Sequence, residues 1–161
     1  MNPMTDHKNL NWRDKMRTPP KMTPDTEAKI SESFASQSLM QTLGATLHSI
    51  KAGRVEIAAP ILESSKQQHG FAHAGLTFSI GDSAAGYAAL STLPADHEVL
   101  TTEMKINLLA PGKGERLIAR GRVIKPGRRL IVVQSDVFAL HDGVETHIAL
   151  MTGTMLPITP E

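Results

Sequence analysis

The central part of the chain carries a long segment of apolar and small residues with the period of an α-helix. From Gly75 to Leu90 the side chains are almost all small or apolar, and Leu76, Ile80 and Tyr87 fall on one side at roughly 3.6 residues per turn. No face of this segment is strongly polar, which predicts a helix buried nearly all round. Its alanines and glycines would let other backbone approach closely.

Downstream of this helix, four segments have the composition of strands and are separated by Pro-Gly and Asp-Gly turn signals. We predict that they form a β-meander of consecutive antiparallel strands, at 99–109, 116–124, 129–140 and 146–156. Upstream, the tight-turn signal Lys51-Ala52-Gly53 predicts a strand on either side, at 45–50 and 54–60.

The N-terminal part divides into a polar arm and a helix. Residues 1–23 lack a clear period and are interpreted as a loosely ordered arm, which Trp12 could pin. Thr23 followed by Pro24 is typical of a helix start, with a hydroxyl cap and proline at the first helical position, and this helix should end near Gly44. Residues 24–161 are then one α+β domain in which a long antiparallel sheet covers the buried helix. The length of the sheet predicts that its edges pair across a dimer.

One charged residue, Asp82, lies between Lys66 and Asp96, in the middle of the apolar segment. Burying a carboxylate is costly unless the group is paired or useful. Burial also raises the pKa of a carboxyl group, which allows it to act as a general base near neutral pH. Asp82 is therefore the main candidate for catalysis, and a structural role, such as pairing with a buried hydroxyl, is the alternative.

The composition excludes several classes of protein. The chain has no cysteine, which rules out disulfides, a thiol nucleophile and a thiolate metal site and is compatible with a cytoplasmic location. His69 and His73 lie in a loop without an evident third ligand, so no metal is predicted. A net charge of +1 and few aromatic residues argue against nucleic-acid binding. No apolar run reaches the ~20 residues needed to span a membrane.

Basic residues are concentrated between residues 111 and 129, where seven of them stand against one acid, Glu115. The simpler interpretation is that they occupy solvated strand faces and turns. The alternative is a local patch for a phosphorylated ligand.

The motif His73-Ala74-Gly75 with Asp82, followed by the segment TTEMKINLLAP at 101–111, resembles the hotdog-fold acyl-CoA thioesterases of the phenylacetate-pathway (PaaI) type. The resemblance covers residues 44–156. It implies a hotdog fold, in which a long central helix is wrapped by an antiparallel sheet, here with an extra N-terminal helix. It also implies hydrolysis of an acyl-CoA to free CoA and a carboxylic acid without a cofactor, by a homodimer or a dimer-of-dimers tetramer.

The resemblance implies a role for each matching residue. Asp82 matches the carboxylate that activates water or attacks the thioester. Ala74, beside Gly75 at the helix start, matches a glycine whose N–H polarises the thioester carbonyl, and His73 supports this helix start. Gln67 matches an amide that orients the carbonyl or water, and Gln68 is the close alternative for this role. Gly70 matches a glycine of the preceding turn, and Thr101 matches a hydroxyl contributed by the partner subunit.

The CoA end of the substrate carries phosphates and therefore needs cations outside the acyl site. By charge and by resemblance, the candidate is the turn between two predicted strands, comprising Lys125, Gly127, Arg128 and Arg129.

Two other functions stay open at this stage. A hotdog hydratase or dehydratase acts on the acyl chain and needs a histidine paired with an acid. A non-catalytic acyl-CoA-binding module would explain why position 74 is alanine where the family has glycine.

Overall fold

The computed structural model describes residues 22–159. The predicted arm, including Trp12, lies outside these residues except at its last two positions. The elements in chain order are α1 (Pro24–Ser36), α2 (Ser38–Thr42), β1 (Thr46–Lys51), β2 (Arg54–Pro60), a 3₁₀ turn (Glu63–Ser65), α3 (Ala74–Leu90), β3 (Glu98–Leu108), β4 (Arg116–Lys125), β5 (Ile131–His141) and β6 (Val144–Ile158).

The N-terminal helix begins where the sequence predicts but is divided in two. The side chain of Thr23 accepts a hydrogen bond from the Thr26 N–H at 3.2 Å, which confirms the predicted cap. The expectation of one helix reaching Gly44 is wrong, because the backbone of Gln37 is extended, with φ −74° and ψ 103°. The chain turns there and forms the short α2.

The six strands form one antiparallel sheet in the order β1-β2-β4-β5-β6-β3. The predicted meander holds for β4, β5 and β6, but β3 pairs with β6 and not with β4. The physical reason is that β2 already occupies the free edge of β4. The connection after β3 therefore crosses the ends of β6 and β5, where Leu109 N–H donates to the carbonyl of Ile148 at 2.8 Å and Glu115 N–H to that of Leu140 at 2.9 Å. In the described part of the chain, β1 and β3 are the edges of the sheet.

The sheet wraps around α3, and glycines allow the close approach. A Cβ at Gly121 of β4 would overlap the carbonyl of Ala84, and a Cβ at Gly81 of α3 would overlap the sulfur of Met151 on β6. Close packing is thus confirmed for Gly81. The expectation that the α3 glycines allow close packing is wrong for Gly86, where an added Cβ would meet no atom within 4 Å.

The architecture confirms the predicted fold class, an α+β hotdog arrangement with an extra N-terminal helix. The side of α3 that carries Phe78, Asp82 and Gly86 is the part of the helix that the sheet leaves half-open. None of the helices within residues 22–159 has both the length and the apolarity needed to cross a membrane.

Candidate active site

Asp82 lies half-buried in the middle of α3 and is bonded to the neighbouring strand β3. The hydroxyl of Thr101 donates a hydrogen bond to Asp82 Oδ1 at 3.0 Å. Burial raises the pKa of the Asp82 carboxyl above its ordinary value, and the hydrogen bond from Thr101 partly opposes this rise. The lone acid of the apolar segment is therefore held in a set position and is a stronger base than an exposed aspartate.

The contact between Thr101 and Asp82 lies within one chain. The resemblance implied a Thr101 of the partner subunit that bonds the attacking water, whereas the hydroxyl that reaches the Asp82 carboxylate in the structure is that of the same chain. The physical reason is that β3 runs beside α3 of its own chain, so that the first half of the strand faces the middle of the helix.

Among the described residues, the start of α3 offers one backbone N–H donor that is free of other hydrogen bonds. His73 caps the helix, because its Nδ1 accepts a hydrogen bond from the Gly75 N–H at 2.9 Å. This bond requires the tautomer of His73 that carries its proton on Nε2. The N–H groups of Leu76 and Thr77 donate to the His73 carbonyl at 3.0 and 3.3 Å. Within the described residues the N–H of Ala74 has no hydrogen-bond acceptor, and Ala74 is exposed.

Ala74 opens onto a groove of about 500 Å³, which we call the Ala74 groove. Its walls are mostly apolar and come from the start of α3, the loop before it, the end of β3 and one residue of β6, with Gln67 as a polar member: Gln67, Phe71, Ala74, Leu108, Leu109 and Ile148. The side-chain oxygen of Gln67 accepts a hydrogen bond from the His69 N–H, which keeps the amide in the turn. Gly70 in the same turn has φ +83°, a backbone conformation that favours glycine.

A second cavity, of about 220 Å³, adjoins Asp82, and we call it the Asp82 cavity. Besides α3 and β3, the α1 helix and Gln37 contribute to its walls, which include Ser33, Gln37, Asp82, Gly86, Tyr87 and Thr101. The sequence-based reasoning placed Tyr87 only on the apolar side of α3 and gave Ser33 and Gln37 no role. No local signal identifies these residues, because the cavity depends on how α1 packs against α3.

Asp82 and the Ala74 N–H do not meet within one chain. They are eight residues apart on α3, which corresponds to roughly 12 Å along the helix axis. The structure thus brings Asp82 together with Thr101, and Ala74 together with Gln67, at two separate places along the helix.

Comparison with known proteins identifies the family. Residues 69–146 match the Thioesterase superfamily. A thioesterase family protein from Silicibacter pomeroyi is 44% identical, with a TM-score of 0.82 over 84% of this chain and 99% of that one. The chain belongs to the thioesterase superfamily.

Two further solved structures support the hotdog fold of this thioesterase. The PaaI protein of the phenylacetic acid degradation operon of E. coli has a TM-score of 0.74 and 20% identity, over 85% of this chain and 96% of that one. Thioesterase HI1161 from Haemophilus influenzae has a TM-score of 0.71 and 20% identity, over 79% of this chain and 87% of that one. At this identity the likeness concerns the fold. Membership of the family makes the protein a thioester hydrolase in general terms.

Two arginines of the basic stretch form ion pairs on the outer face of the thioesterase sheet. Arg120 donates to both oxygens of Glu145 at 2.7 Å and to Glu56 at 2.8 Å, and these bonds raise the pKa of its guanidinium further. Arg122 lies 3.2 Å from Asp136. These two residues confirm the simpler interpretation of solvated strand faces.

The β4–β5 turn differs from these strand residues. Lys125, Arg128 and Arg129 are exposed and form no ion pair within residues 22–159. Gly127 and Arg128 help to line a cavity of about 410 Å³ at the C-terminal end of α3. A Cβ at Gly127 would overlap the carbonyl of Leu130, so this tight turn requires glycine.

Within residues 22–159, few side chains of this thioesterase are placed to bind a metal ion or to form a catalytic histidine–acid pair. Glu115, His141 and Asp142 could together reach a metal ion, but they are exposed at the β4 start and the β5–β6 turn. Among residues 22–159, no histidine is hydrogen-bonded to Asp82, and the His73 Nδ1 is occupied by the Gly75 N–H. A histidine–acid pair of the kind that a hydratase needs is therefore not formed around Asp82.

Proposed function

We propose that this thioesterase hydrolyses acyl-CoA thioesters to free CoA and a carboxylic acid, with Asp82 as the general base. The observation that carries the proposal is the half-buried Asp82 carboxylate, with its raised pKa and its hydrogen bond from Thr101. A carboxylate of this kind can accept a proton from water closer to neutral pH than an exposed aspartate can.

The reaction needs one group that donates a hydrogen bond to the thioester carbonyl oxygen and one group that acts as a base. The N–H of Ala74, at the positive end of the α3 dipole, would donate to the thioester carbonyl oxygen and stabilise the charge that develops there. Asp82 would remove a proton from water as its oxygen attacks the carbonyl carbon. Collapse of the tetrahedral intermediate would break the C–S bond, and the CoA thiolate would leave and be protonated. An attack by Asp82 itself, which would form an acyl-Asp82 anhydride, is the alternative route, and ¹⁸O in the Asp82 carboxylate after a single turnover in H₂¹⁸O would demonstrate it.

We propose that each active site is shared between two subunits of a homodimer. One chain holds Asp82 and the Ala74 N–H roughly 12 Å apart, too far for both to act on one carbonyl. Asp82 lies by the Thr101 end of β3, and Ala74 lies by its Leu108 end. If two β3 edges pair antiparallel about a two-fold axis, each Asp82 is brought to the partner's Ala74 groove.

Exposure along this edge supports the pairing. Phe78, Leu100 and Leu108 are 36%, 53% and 57% exposed in the single chain, although they are large and apolar. An edge strand with exposed apolar side chains is stabilised when a second copy covers it. A dimer of such dimers would give the tetramer that the sequence also allows.

We assign the CoA phosphates to the β4–β5 turn, where Lys125, Arg128 and Arg129 have no competing acid among the described residues. A cytoplasmic location is part of the proposal and rests on the absence of cysteine.

The first test is the release of free thiol from a panel of acyl-CoAs. We expect turnover by the native protein and a loss of about 100-fold or more in Asp82→Asn, the scale for removing a catalytic base. Undiminished turnover in this variant would refute the role of Asp82. Hydration of enoyl-CoA without release of CoA would instead support a hydratase, and binding without turnover a non-catalytic module.

The Ala74 N–H can be removed without altering the helix. Ala74 is the first residue of α3, where proline is tolerated, and His73 has the ψ of 142° that a residue before proline prefers. We expect Ala74→Pro to lower kcat by about 100-fold or more. Ala74→Gly keeps the N–H and serves as the matched control. Equal activity of the two variants would exclude this N–H as the oxyanion donor.

Mixing the two inactive variants tests whether the site is shared. In a heterodimer of Asp82→Asn and Ala74→Pro chains, one site carries both substitutions and the other carries neither. Refolding the variants together in equal amounts should therefore restore about a quarter of the native activity. A site built within one chain would show no restoration.

A further inference from the structure

The Asp82 cavity has a wall from the N-terminal helix that lies outside the residues matching the Thioesterase superfamily, 69–146. Ser33 on α1 and Gln37 at the break after α1 face the cavity together with Tyr87 of α3. Tyr87 itself is 5% exposed and packs edge-on against Phe34 of α1. The position of α1 thus closes one side of the space next to the catalytic carboxylate.

Ser33, Gln37 and Tyr87 form a hydrogen-bonded cluster, which we call the polar wall. Gln37 Nε2 donates to the Tyr87 hydroxyl at 2.6 Å, and the Ser33 and Tyr87 hydroxyl oxygens lie 3.1 Å apart and share a hydrogen bond. The side-chain oxygen of Gln37 accepts no hydrogen bond from any residue in 22–159. The wall therefore keeps the capacity both to accept and to donate a hydrogen bond.

Gly86 leaves room between Asp82 and the polar wall. It lies one turn beyond Asp82, and a Cβ there would meet no atom within 4 Å. Glycine inside a helix costs about 0.5–1 kcal/mol relative to alanine. An open glycine at this position therefore maintains space beside the carboxylate, at the expense of helix stability.

We propose that the Asp82 cavity is the acyl subsite, and that the polar wall selects short acyl groups with a neutral hydroxyl or keto group near their far end. This inference rests on the proposed acyl-CoA hydrolysis. The larger, mostly apolar Ala74 groove of the partner would then receive the pantetheine arm. The cavity of about 220 Å³ is smaller than the ~300–1,000 Å³ of pockets that hold drug-sized ligands, which favours a short acyl group.

The charge and polarity of the walls define the class of acyl group. An alkyl chain would displace water from the polar wall and leave its groups unsatisfied, which is unfavourable. A terminal carboxylate would face the negative charge of Asp82, which lines the cavity. Glu98 is paired with Lys29 of α1 at 2.7 Å, so the cation on this side is already neutralised. A neutral hydrogen-bonding group satisfies both conditions.

The test compares 4-oxopentanoyl-CoA with 4-methylpentanoyl-CoA, which differ only in a carbonyl oxygen or a methyl group on the fourth carbon. We expect kcat/KM to be at least about tenfold higher for the oxo compound, the discrimination that one satisfied hydrogen bond provides. Glutaryl-CoA, which ends in a carboxylate, should be a poorer substrate than either.

Gln37→Met removes the amide and keeps the length of the side chain, and it should bring the oxo-to-methyl ratio close to one. The matched control is Gln41→Met, because Gln41 lies exposed on α2, bonds to the Ala35 carbonyl and does not line the cavity. Gly86→Ala should lower kcat/KM for 4-oxopentanoyl-CoA more than for acetyl-CoA, since its methyl group enters the cavity.

The outcomes separate this inference from the proposed function. Equal hydrolysis of the oxo and methyl substrates, or a ratio that Gln37→Met leaves unchanged, would overturn the polar-wall inference while acyl-CoA hydrolysis stands. Failure of the native protein to hydrolyse any acyl-CoA would overturn the proposed function and this inference with it.

Discussion

The hydrogen bond from Thr101 to Asp82 makes a quantitative prediction about the pH dependence of catalysis. Thr101→Val replaces the hydroxyl with a methyl group of similar size and keeps a residue that favours strands. The variant loses the 3.0 Å bond that lowers the pKa of Asp82, while the burial that raises this pKa remains. The pKa of the carboxyl should therefore move further upward.

The size of the shift follows from the strength of such a bond. A hydrogen bond to a charged group contributes ~1.5–3 kcal/mol, and one pKa unit corresponds to ~1.4 kcal/mol. Because Asp82 is only half-buried, solvent screens the interaction and the lower end applies. We expect the acid side of the kcat/KM profile, where the base becomes protonated, to move up by about one pH unit.

The assay is thiol release from one acyl-CoA, measured for each variant across the acid range. Thr101→Ser keeps the hydroxyl and should retain the native profile. Thr102→Val is the matched control, because the Thr102 hydroxyl on the same strand donates to the carbonyl of Thr154 at 2.9 Å and not to Asp82. If Thr101→Val and Thr102→Val gave the same acid limb, the reasoning about the Thr101 bond would be refuted.

The other predictions concern stability and CoA binding. Gly121→Ala should lower the free energy of unfolding by ~1–3 kcal/mol in urea titrations, because its methyl overlaps the Ala84 carbonyl, and equal stability would contradict the close approach of α3 to β4. Since the folded pKa of Asp82 is raised above 3.8, the folded protein binds the proton more tightly, and its stability falls as pH rises from about 3.8 through the raised pKa. Asp82→Asn removes this pH-dependent loss of stability. Relative to the native protein, the variant should therefore gain no free energy of unfolding in acid and should show its full gain above the raised pKa of Asp82. Replacing Arg128 and Arg129 by Gln should raise KM for an acyl-CoA about tenfold with little change in kcat. KM for the same acyl group on N-acetylcysteamine, which lacks the phosphates, should not change, and an equal rise would exclude the turn as the phosphate site.

Features that depend on neighbouring residues in the chain could be predicted from the sequence. The cap at Thr23, the strand segments and the extent of α3 follow from local capping chemistry, turn residues and periodicity, and the structure confirms them within a few residues. Asp82 became the candidate by the same local argument, because a lone carboxylate in an apolar segment is costly to bury unless it is paired or useful.

The position of β3 could not be predicted in this way. A Pro-Gly turn signal between β3 and β4 favours a hairpin, but β2 takes the edge of β4 and β3 lies beside β6. Competition for a sheet edge involves strands whose paired residues lie more than forty positions apart in the chain, and the sequence of the turn does not record its outcome. The same non-local pairing decides that Thr101 reaches Asp82 of its own chain.

By itself, the sequence determined which residues form the helices and strands, that a buried helix would carry one acid, and that the chain resembles a hotdog thioesterase. Only the tertiary structure decided that Ala74 keeps the free N–H while Gly75 is bonded to His73, that this donor stands far from Asp82, and that α1 adds a polar wall to the cavity. The physical reason is that periodicity and capping act over a few residues. The contents of a site, in contrast, are set by the packing of elements that are distant in the chain.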